Sequence, residues 1–314
     1  MAEAGPAPKV LVIGAGAIGA FYGGVLARAG CEVSAVARSD FDSVAANGYR
    51  IESQLGDLSW RPAQLVRSGA DYRGPADLLL VCLKLTSATD PVELIRPALG
   101  AKTTIVFVAN GIDVDAPIAA AFPDNELISG VAYAAVSRAP SGIIKHHSQY
   151  TRLVLGRYPD GPSATAARVA DLIKKGGSSS ATSEDIVGTR WQKCAWNTVF
   201  NPISALCGGL GARDILGSED TTRFAGEAIG EFCTVAAAAG HELPADSAEK
   251  IIAGTLKLPN YVSSMGQDFL AGRPMETEAL LGNVVRIAQR LAVPAPRLGT
   301  LYALLKMSEQ RTPG

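Results

Sequence analysis

Three polar residues recur at every fourth position within the segment RWQKCAWNTVFNPISAL, residues 190–206. They are Lys193, Asn197 and Asn201, and helical pitch would place them along one side with a drift of about 40° per step. Bulky apolar residues occupy most other positions of the segment, so we expect a largely buried helix. An ammonium and two amides in such a helix need partners, because burying an unpaired polar group costs roughly 2–7 kcal/mol.

A bound ligand is one partner that would satisfy this polar row. The alternative is structural: the Asn side chains bond to neighbouring backbone, and Lys193 extends its stem along the helix to reach water. The segment alone favours neither interpretation.

A glycine-rich hexapeptide near the amino terminus is a second pattern with chemical meaning. It consists of Gly14, Ala15, Gly16, Ala17, Ile18 and Gly19. An apolar run over 9–13 precedes it and predicts a buried strand, and the pattern predicts a helix over 20–29 and a strand over 32–37. Strand, glycine turn, helix and strand within about 30 residues form one βαβ unit, as in a Rossmann-type dinucleotide-binding domain.

The three glycines of the hexapeptide have separate physical roles. Gly14 permits the tight turn, Gly16 lets the backbone approach a pyrophosphate, and Gly19 lets the helix pack closely against the strand. The amino terminus of the helix then offers free N–H groups and a partial positive charge to that anion. The alternative is a glycine turn in an α/β domain that binds no nucleotide.

The residue that follows the second predicted strand bears on the choice of cofactor. An Asp or Glu there would hydrogen-bond a ribose hydroxyl and favour NAD. This sequence has Arg38 with Ser39 beside it, which suits a 2′-phosphate, so NADP(H) is the predicted cofactor. The alternative is an exposed loop arginine without a ligand.

The remaining periodicities divide the chain into two parts. Further strands are predicted over 77–83, 103–108, 127–131 and 178–182, a helix over 163–175, and a hairpin is compatible with 51–66. Strand patterns end after residue 182, and helical segments follow over 183–206, 218–239, 245–253 and 275–292. We therefore predict an α/β Rossmann-type domain over residues 1–182 and an all-helical domain over 183–314.

Polar residues directly follow two of the predicted strands. Lys84 and Asn110-Gly111 would lie at carboxyl ends of strands, where open parallel sheets bind ligands. Asn110-Gly111 is equally compatible with a simple turn. His146 and His147 are neighbours in a predicted strand and point to opposite faces, so we predict no metal site there.

A second polar cluster lies in the segment YVSSMGQDFLAGRPMETEALLG, residues 261–282. Pro274 is well placed to begin a helix, and Glu276 and Glu278 would then occupy its first turn. Carboxylates at that end interact favourably with the helix dipole, so capping is the structural alternative to a catalytic role. Ser264 is equally compatible with a turn or cap residue.

Composition limits the class of protein. Of 314 residues, 47% are hydrophobic and 19% are charged, which is typical of a folded globular chain. The formal charge of −1 predicts no global attraction to nucleic acid or anionic membrane.

Five cysteines without CxxC spacing fit a reducing compartment. Residues 1–9 lack a signal-peptide pattern, and no apolar run of about 18 residues is present, so we expect a cytoplasmic protein. Helical segments rich in Ala and Leu are compatible with a homodimer.

Taken together, these motifs make the chain similar to the ketopantoate reductase (2-dehydropantoate 2-reductase) family, from about Lys9 to Lys306. The resemblance rests on GAGAIG, Arg38, Lys84, Asn110-Gly111, WQKCAWNTVFNP, SSMGQD and GRPMETEALLG. It implies a Rossmann domain joined to a helical domain like that of 6-phosphogluconate dehydrogenase. The implied reaction is the NADPH-dependent reduction of ketopantoate, a small 2-keto acid, to pantoate.

The resemblance also implies roles for individual residues. Lys193 matches the lysine that donates a proton to the ketone oxygen, and Glu276 matches a glutamate that interacts with that lysine and with the cofactor. The residues implied in substrate binding are Asn110, Asn197, Asn201 and Ser264. Those implied in cofactor binding, besides the hexapeptide, are Arg38, Lys84, Asn110, Ala134 and Glu276.

The sequence departs from the family pattern at three places. Ala109 stands where Gln is common, residues 147–152 replace a glycine-bearing stretch, and Gly211 stands where some members have a further substrate-binding Asn. A reductase of another 2-keto acid is therefore a second hypothesis. A third is a non-catalytic NADPH-binding regulator; the polar row with Glu276 argues against it, because a sensor needs no proton donor.

Overall fold

The computed structural model describes residues 6–310, which form two compact units. The first unit comprises residues up to Lys84, 90–109 and 115–186; the second comprises 85–89, 110–114 and the chain from Val187 onward. The predicted domain boundary after residue 182 stays a prediction. Part of the segment inspected for a signal peptide, residues 1–5, lies outside the described residues.

The first unit is built on one mixed sheet, which has ten strands within the described residues. The strands are β1 (Lys9–Ile13), β2 (Glu32–Val36), β3 (Tyr49–Ser53), β4 (Leu58–Trp60), β5 (Leu65–Val66), β6 (Leu78–Val81), β7 (Thr104–Val108), β8 (Leu127–Ala139), β9 (Ile143–Arg157) and β10 (Ser180–Thr182). The helices are α1 (Ala17–Arg28), α2 (Phe41–Asn47), α3 (Pro91–Ile95), α4 (Ala116–Ala121) and α5 (Ala164–Lys175).

The order of the strands is β4-β3-β9-β8-β7-β6-β1-β2-β5, with β10 paired to β9. The centre is parallel, as predicted: Val10 of β1 lies opposite Val33 of β2 and Leu78 of β6. β8 and β9 form a long antiparallel hairpin, so the strand predicted over 127–131 extends to Ala139. β3 and β4 form a second hairpin inside segment 51–66 and its flank.

The apolar run of β1 is buried because helices and further strands cover both faces of the central sheet. Val10 and Val12 are fully buried, in one core with Tyr22 of α1 and Ile173 of α5. This all-apolar strand pattern is typical of a doubly wound sheet. The predicted Rossmann-type architecture of this part is confirmed.

The long secondary-structure elements of the second unit are helices. They are α6 (Ile186–Leu206), α7 (Glu219–Ala238), α8 (Ser247–Lys257), α9 (Ser264–Leu270), a π turn (Glu278–Gly282), α10 (Asn283–Arg290) and α11 (Pro296–Glu309). Its core contains Trp191, Val199 and Phe200 of α6 together with Phe232 of α7 and Leu281 of the π turn. The predicted helical architecture after the sheet is confirmed.

Two helices of this unit were not predicted. α9 has only seven residues, too few for apolar periodicity to be visible. α11 buries Leu298, Leu301 and Leu305, but Leu304 and Met307 of the same helix are exposed, which obscures a one-sided apolar pattern. The helix predicted over 275–292 also begins later: its first helical residue is Thr277, and the π turn follows from Glu278.

No helix within residues 6–310 is long and apolar enough to cross a membrane. The same residues contain no group of three or more His, Cys, Asp or Glu side chains that could hold a metal ion. His146 is buried and His147 is exposed, as expected for neighbours on opposite faces of β9.

Candidate active site

The glycine turn between β1 and α1 has the geometry expected of a nucleotide-binding turn. Gly14 has φ +83°, and a Cβ there would lie 2.5 Å from the Cys82 carbonyl oxygen. A Cβ on Gly19 would lie 2.3 Å from the Gly14 carbonyl oxygen. Both positions therefore require glycine for the fold itself.

Gly16 differs from the other two glycines of the turn. A Cβ there would meet no protein atom closer than 4.0 Å, and Gly16 directly precedes the first residue of α1. The backbone at Gly16 is therefore open at the amino terminus of a helix, where N–H groups and the helix dipole favour an anion. A dinucleotide pyrophosphate fits these residues; Ala15 lies in the turn, and Ala17 and Ile18 are the first residues of α1.

Charged residues gather where β2 ends. Arg38 is exposed two residues beyond the strand. Next to it, the Ser39 hydroxyl accepts a hydrogen bond from Arg138 Nη1 at 3.0 Å, and that nitrogen lies 3.5 Å from the Asp40 carboxylate. Arg138 belongs to β8 and is remote in sequence from Arg38, so periodicity gave no signal for it.

The other two cofactor residues implied by the resemblance also lie in the first unit. Lys84 is exposed, three residues after β6. Ala134 is partly buried in β8, next to the place where the β8–β9 pairing shifts register between Ala134 and Val136. Their roles toward a cofactor stay predictions.

Within the second unit, Lys193 of α6 meets a residue from a distant part of the chain. The Lys193 ammonium donates a hydrogen bond to Asn110 Oδ1 at 2.6 Å. Gly111, the next residue, has φ +110°, and a Cβ there would lie 2.4 Å from the Ala279 carbonyl oxygen. The Asn110-Gly111 pair is thus a tight turn that also holds a polar side chain against Lys193, and a ligand-binding role for Asn110 stays a prediction.

Glu276 is the third polar group of this cluster. It is only 7% exposed, and its Oε1 accepts a hydrogen bond from the Leu85 backbone N–H at 3.0 Å. Glu276 was expected in the first turn of a helix and instead directly precedes it: helical residues begin at Thr277, and the Glu276 carbonyl accepts a hydrogen bond from the Leu280 N–H at 3.0 Å. Glu278 occupies that turn and accepts hydrogen bonds from Arg286 and Tyr302 instead.

The surroundings of Lys193 change its acidity. Burial lowers the pKa of Lys193 to about 8, and the charge of Arg190 acts in the same direction. Glu276 favours the charged form and opposes this shift. The result is an ammonium that can lose its proton near neutral pH, as a general acid requires.

Asn197 and Asn201 continue the polar row along α6. Asn197 is partly buried and Asn201 is 2% exposed. α6 is largely buried, as predicted from the apolar residues around this row.

Ser264 is not the capping residue of its helix, although its sequence position was compatible with a cap. Ser264 is exposed and is the first residue of α9, whereas the Ser263 hydroxyl caps that helix by accepting from the Gly266 N–H. α9 packs against α6, since a Cβ on Gly266 would lie 2.4 Å from the Ser204 hydroxyl. Ser264 is therefore next to the helix that carries the polar row, and it is not the cap.

One residue of the cluster was overlooked in the sequence. Arg190 is 3% exposed and donates from Nη1 to the Gly111 carbonyl at 3.3 Å. It precedes Lys193 by three residues, so helical spacing alone places both cations on one side of α6. That spacing was the available signal.

Comparison with known proteins agrees with this architecture. A model of the family described as "Ketopantoate reductase PanE/ApbA" matches residues 10–160, and the model of its C-terminal domain matches 185–309. The crystal structure of 2-dehydropantoate 2-reductase from Methylococcus capsulatus is 47% identical, with a TM-score of 0.91, over 97% of this chain and 98% of that one. The chain belongs to the ketopantoate reductase family.

Two further relatives illustrate the range of this similarity. The 2-dehydropantoate 2-reductase of Nostoc sp. is 28% identical over 96% of each chain. A ternary structure of D-mandelate dehydrogenase with NADH and anilino(oxo)acetate has a TM-score of 0.86 but only 20% identity, so it shows the shared fold alone. This member of the family is an oxidoreductase, and the hypothesis of a non-catalytic regulator is set aside.

Proposed function

We propose that this ketopantoate reductase family member reduces 2-dehydropantoate to pantoate in pantothenate biosynthesis, with NADPH as the reductant and Lys193 as the proton donor. The observation that carries the proposal is the Lys193 ammonium, held by Asn110 at 2.6 Å and beside the buried Glu276. The family and the 47% identical relative support the choice of substrate.

Lys193 has the properties that ketone reduction demands. When hydride adds to the carbonyl carbon, negative charge develops on the oxygen, and a nearby ammonium stabilises that charge and supplies the proton. The C=O double bond becomes a C–O single bond, the proton passes from Nζ to the oxygen, and neutral Lys193 then recovers a proton from water. A pKa of about 8 leaves Lys193 mostly protonated at neutral pH.

The two asparagines would orient the substrate. A 2-keto acid presents a carboxylate, and ketopantoate also presents a hydroxyl, both of which amide groups can bind. Asn201 is 2% exposed, and a buried amide is stabilised strongly by a hydrogen bond to a polar partner such as the substrate. With Ser264, these residues would fix the ketone relative to Lys193, and such positioning lowers the barrier by several kcal/mol.

Bound NADPH would supply the hydride. The glycine turn, with its open backbone at Gly16, would hold the pyrophosphate, while Arg38 and Lys84 would hold the phosphate at the adenosine end. Ala134 would contact the cofactor through its backbone. The exposed Arg38 beyond β2, in place of an acidic residue, supports NADPH over NADH.

The decisive experiment is a steady-state comparison of substrates and cofactors. Purified protein should oxidise NADPH with ketopantoate at a higher kcat/KM than with pyruvate, 2-oxoisovalerate or phenylpyruvate, and NADH should be the poorer reductant. A higher kcat/KM with another 2-keto acid would contradict ketopantoate as the substrate. A preference for NADH would contradict NADPH as the cofactor.

A reductase of a different 2-keto acid is the second candidate, because of the surroundings of Gly211. A Cβ there would lie 2.3 Å from the Asn260 side-chain oxygen. The Asn260 amide is fixed in that place: it accepts from the Arg213 N–H at 3.0 Å and donates to Asp214 at 2.7 Å. An Asn side chain at position 211 would therefore require Asn260 to leave these two hydrogen bonds, and Gly211 has no side chain to make the substrate contact found in some family members. The same substrate panel separates the two candidates.

A homodimer is proposed as the assembly. A solved ketopantoate reductase from Staphylococcus aureus, 18% identical to this chain, is described as dimeric. Exposed apolar side chains in this chain include Leu291, Leu304 and Met307. Light scattering after gel filtration tests the proposal, and a monomer mass over the working concentration range would contradict it.

A further inference from the structure

Arg190 is a buried cation for which the proposed reaction has no assigned use. It is 3% exposed, it lies in the first half of α6, and its Nη1 donates to the Gly111 carbonyl at 3.3 Å. Removing a guanidinium from water costs several kcal/mol, so its position calls for a physical reason.

The neighbours of Arg190 suggest that reason. Lys193 follows it by three residues on the same helix, and the charge of Arg190 disfavours the Lys193 ammonium. Among the described residues, Cys194 on α6 and Glu276, which precedes the π turn, also act on Lys193. Burial raises the pKa of the Cys194 thiol and so disfavours its charged form, while the Glu276 carboxylate supplies a negative charge that favours the Lys193 ammonium.

The Asn110-Gly111 turn links Arg190 to Lys193 by a second route. Arg190 binds the carbonyl of Gly111, and the preceding residue, Asn110, accepts the hydrogen bond from Lys193. The far side of the turn is held by other contacts: the Ile112 N–H donates to Ala279 at 3.0 Å, and Asn283 donates to the Ile112 carbonyl at 2.7 Å. Arg190 therefore holds the side of the turn that faces the lysine.

We propose that Arg190 is a positioning residue for Lys193: it fixes Asn110 against the lysine through the Gly111 carbonyl, and it places a permanent positive charge beside the ammonium. This inference rests on the proposed function, in which Lys193 is the proton donor. In this role Arg190 acts through the protonation and the orientation of Lys193.

The charge has a direct chemical consequence. A neighbouring cation destabilises the protonated form of Lys193 and makes it a stronger acid, while the Glu276 carboxylate acts in the opposite direction. A general acid is most effective when its pKa lies near the working pH. Loss of Arg190 should raise the pKa of Lys193 and weaken its acidity, even though more of it would be protonated.

The test compares three variants of position 190 by their pH profiles. Arg190→Gln retains a donor for the Gly111 carbonyl but removes the charge, Arg190→Met removes both, and Arg190→Lys retains the charge. In Arg190→Gln, the fall of kcat at alkaline pH (the alkaline limb of the profile) should move to higher pH by about one unit. The value of kcat on the level part of the profile should be several-fold lower. Arg190→Lys should restore the limb toward that of the wild type. An unchanged limb in Arg190→Gln would overturn the proposal.

A second measurement separates this inference from the proposed function. The titration of Lys193 is followed in the substrate-free protein by NMR of ¹⁵N-labelled lysine side chains, with the Lys193→Ala spectrum as the assignment. The midpoint should rise in Arg190→Gln whether or not any keto acid is turned over, and an unchanged midpoint contradicts the inference. If the midpoint rises but Lys193→Ala keeps its turnover, the proposed function fails and the charge effect stands.

Asn283→Ala is the control for a purely structural effect. It loosens the far side of the same turn without changing charge near Lys193, so it should lower kcat and leave the alkaline limb in place. Equal shifts of the limb in Asn283→Ala and Arg190→Gln would overturn the assignment of the effect to charge. Should Arg190→Gln fail to fold, Arg190→Met tests the loss of the charge, with Asn283→Ala as the control for a loosened turn.

Discussion

The glycine turn of the first unit and the cluster around Lys193 in the second unit differ in how far apart their residues lie in the chain. The glycine turn is contained in a few consecutive residues between β1 and α1. In the cluster, 83 residues separate Lys193 from Asn110, and 191 separate Glu276 from Leu85. The turn depends on backbone conformation, whereas the cluster depends on side chains that packing brings together.

The difference has a consequence for how each region tolerates change. At the turn, steric fit decides which residues are tolerated. A Cβ added at Gly14 or Gly19 would collide with neighbouring backbone, whereas one at Gly16 would not. In the cluster, charge and burial decide, since burial lowers the pKa of Lys193. Substitutions at the turn should therefore affect folding and cofactor affinity, and substitutions in the cluster should affect the chemical step.

Replacing Lys193 should have the largest effect. Lys193→Ala should lower kcat by roughly 10²–10⁴-fold, because general acid catalysis typically contributes that much. NADPH affinity, measured by fluorescence titration, should stay nearly unchanged, since the lysine belongs to the cluster and not to the turn. Lys250→Ala, at an exposed lysine of the same unit, is the matched control and should behave as the wild type. Turnover retained in Lys193→Ala would remove the lysine from the mechanism.

The second prediction concerns pH. The reaction requires protonated Lys193, and burial holds its pKa at about 8. With both substrates saturating, kcat should be level below that pH and fall about tenfold for each unit above it. The measurement is a profile of kcat under constant ionic strength. A profile that stays level through pH 9 would show that the rate does not depend on the protonated lysine.

A pair of glycine substitutions tests the steric character of the turn. Gly14→Ala forces a Cβ against the Cys82 carbonyl at positive φ and should lower the free energy of unfolding by about 1–3 kcal/mol. Gly16→Ala meets no protein atom closer than 4.0 Å, so its Tm should match the wild type while NADPH affinity falls roughly tenfold or more. Wild-type affinity in Gly16→Ala would mean that the pyrophosphate binds elsewhere.

The smallest expected effect is at Arg38. Arg38→Ala should weaken NADPH binding by roughly tenfold and leave NADH binding unchanged, because a charge-assisted hydrogen bond to phosphate contributes about 1.5–3 kcal/mol before solvent screening. The ratio of the two dissociation constants at fixed salt is the measurement. Arg157→Ala, at an exposed arginine of β9, serves as the control. An equal loss of affinity for NADPH and NADH would show that Arg38 attracts both cofactors by its charge and does not recognise the 2′-phosphate.

Much of the fold could be predicted from the sequence, and the exceptions have physical causes. Buried parallel strands such as β1 and β6 are continuous apolar runs, and α6 carries its apolar and polar residues at clear helical spacing. α9 is too short to show a period, and α11 exposes Leu304 and Met307. The position of Pro274 suggested a helix that includes Glu276, but helical residues begin only at Thr277.

The sequence by itself determined the features whose physics is local. The glycine turn follows from consecutive residues, Arg38 from its place after a strand, and the row of Lys193, Asn197 and Asn201 from a spacing of four. Only the tertiary structure decided which groups surround that row. The Asn110-Gly111 turn and Glu276 come from two segments distant from α6, and the packing that unites them depends on long-range contacts that no local period encodes. The acidity of Lys193 belongs to the same category, because it depends on burial and on charges brought together by folding.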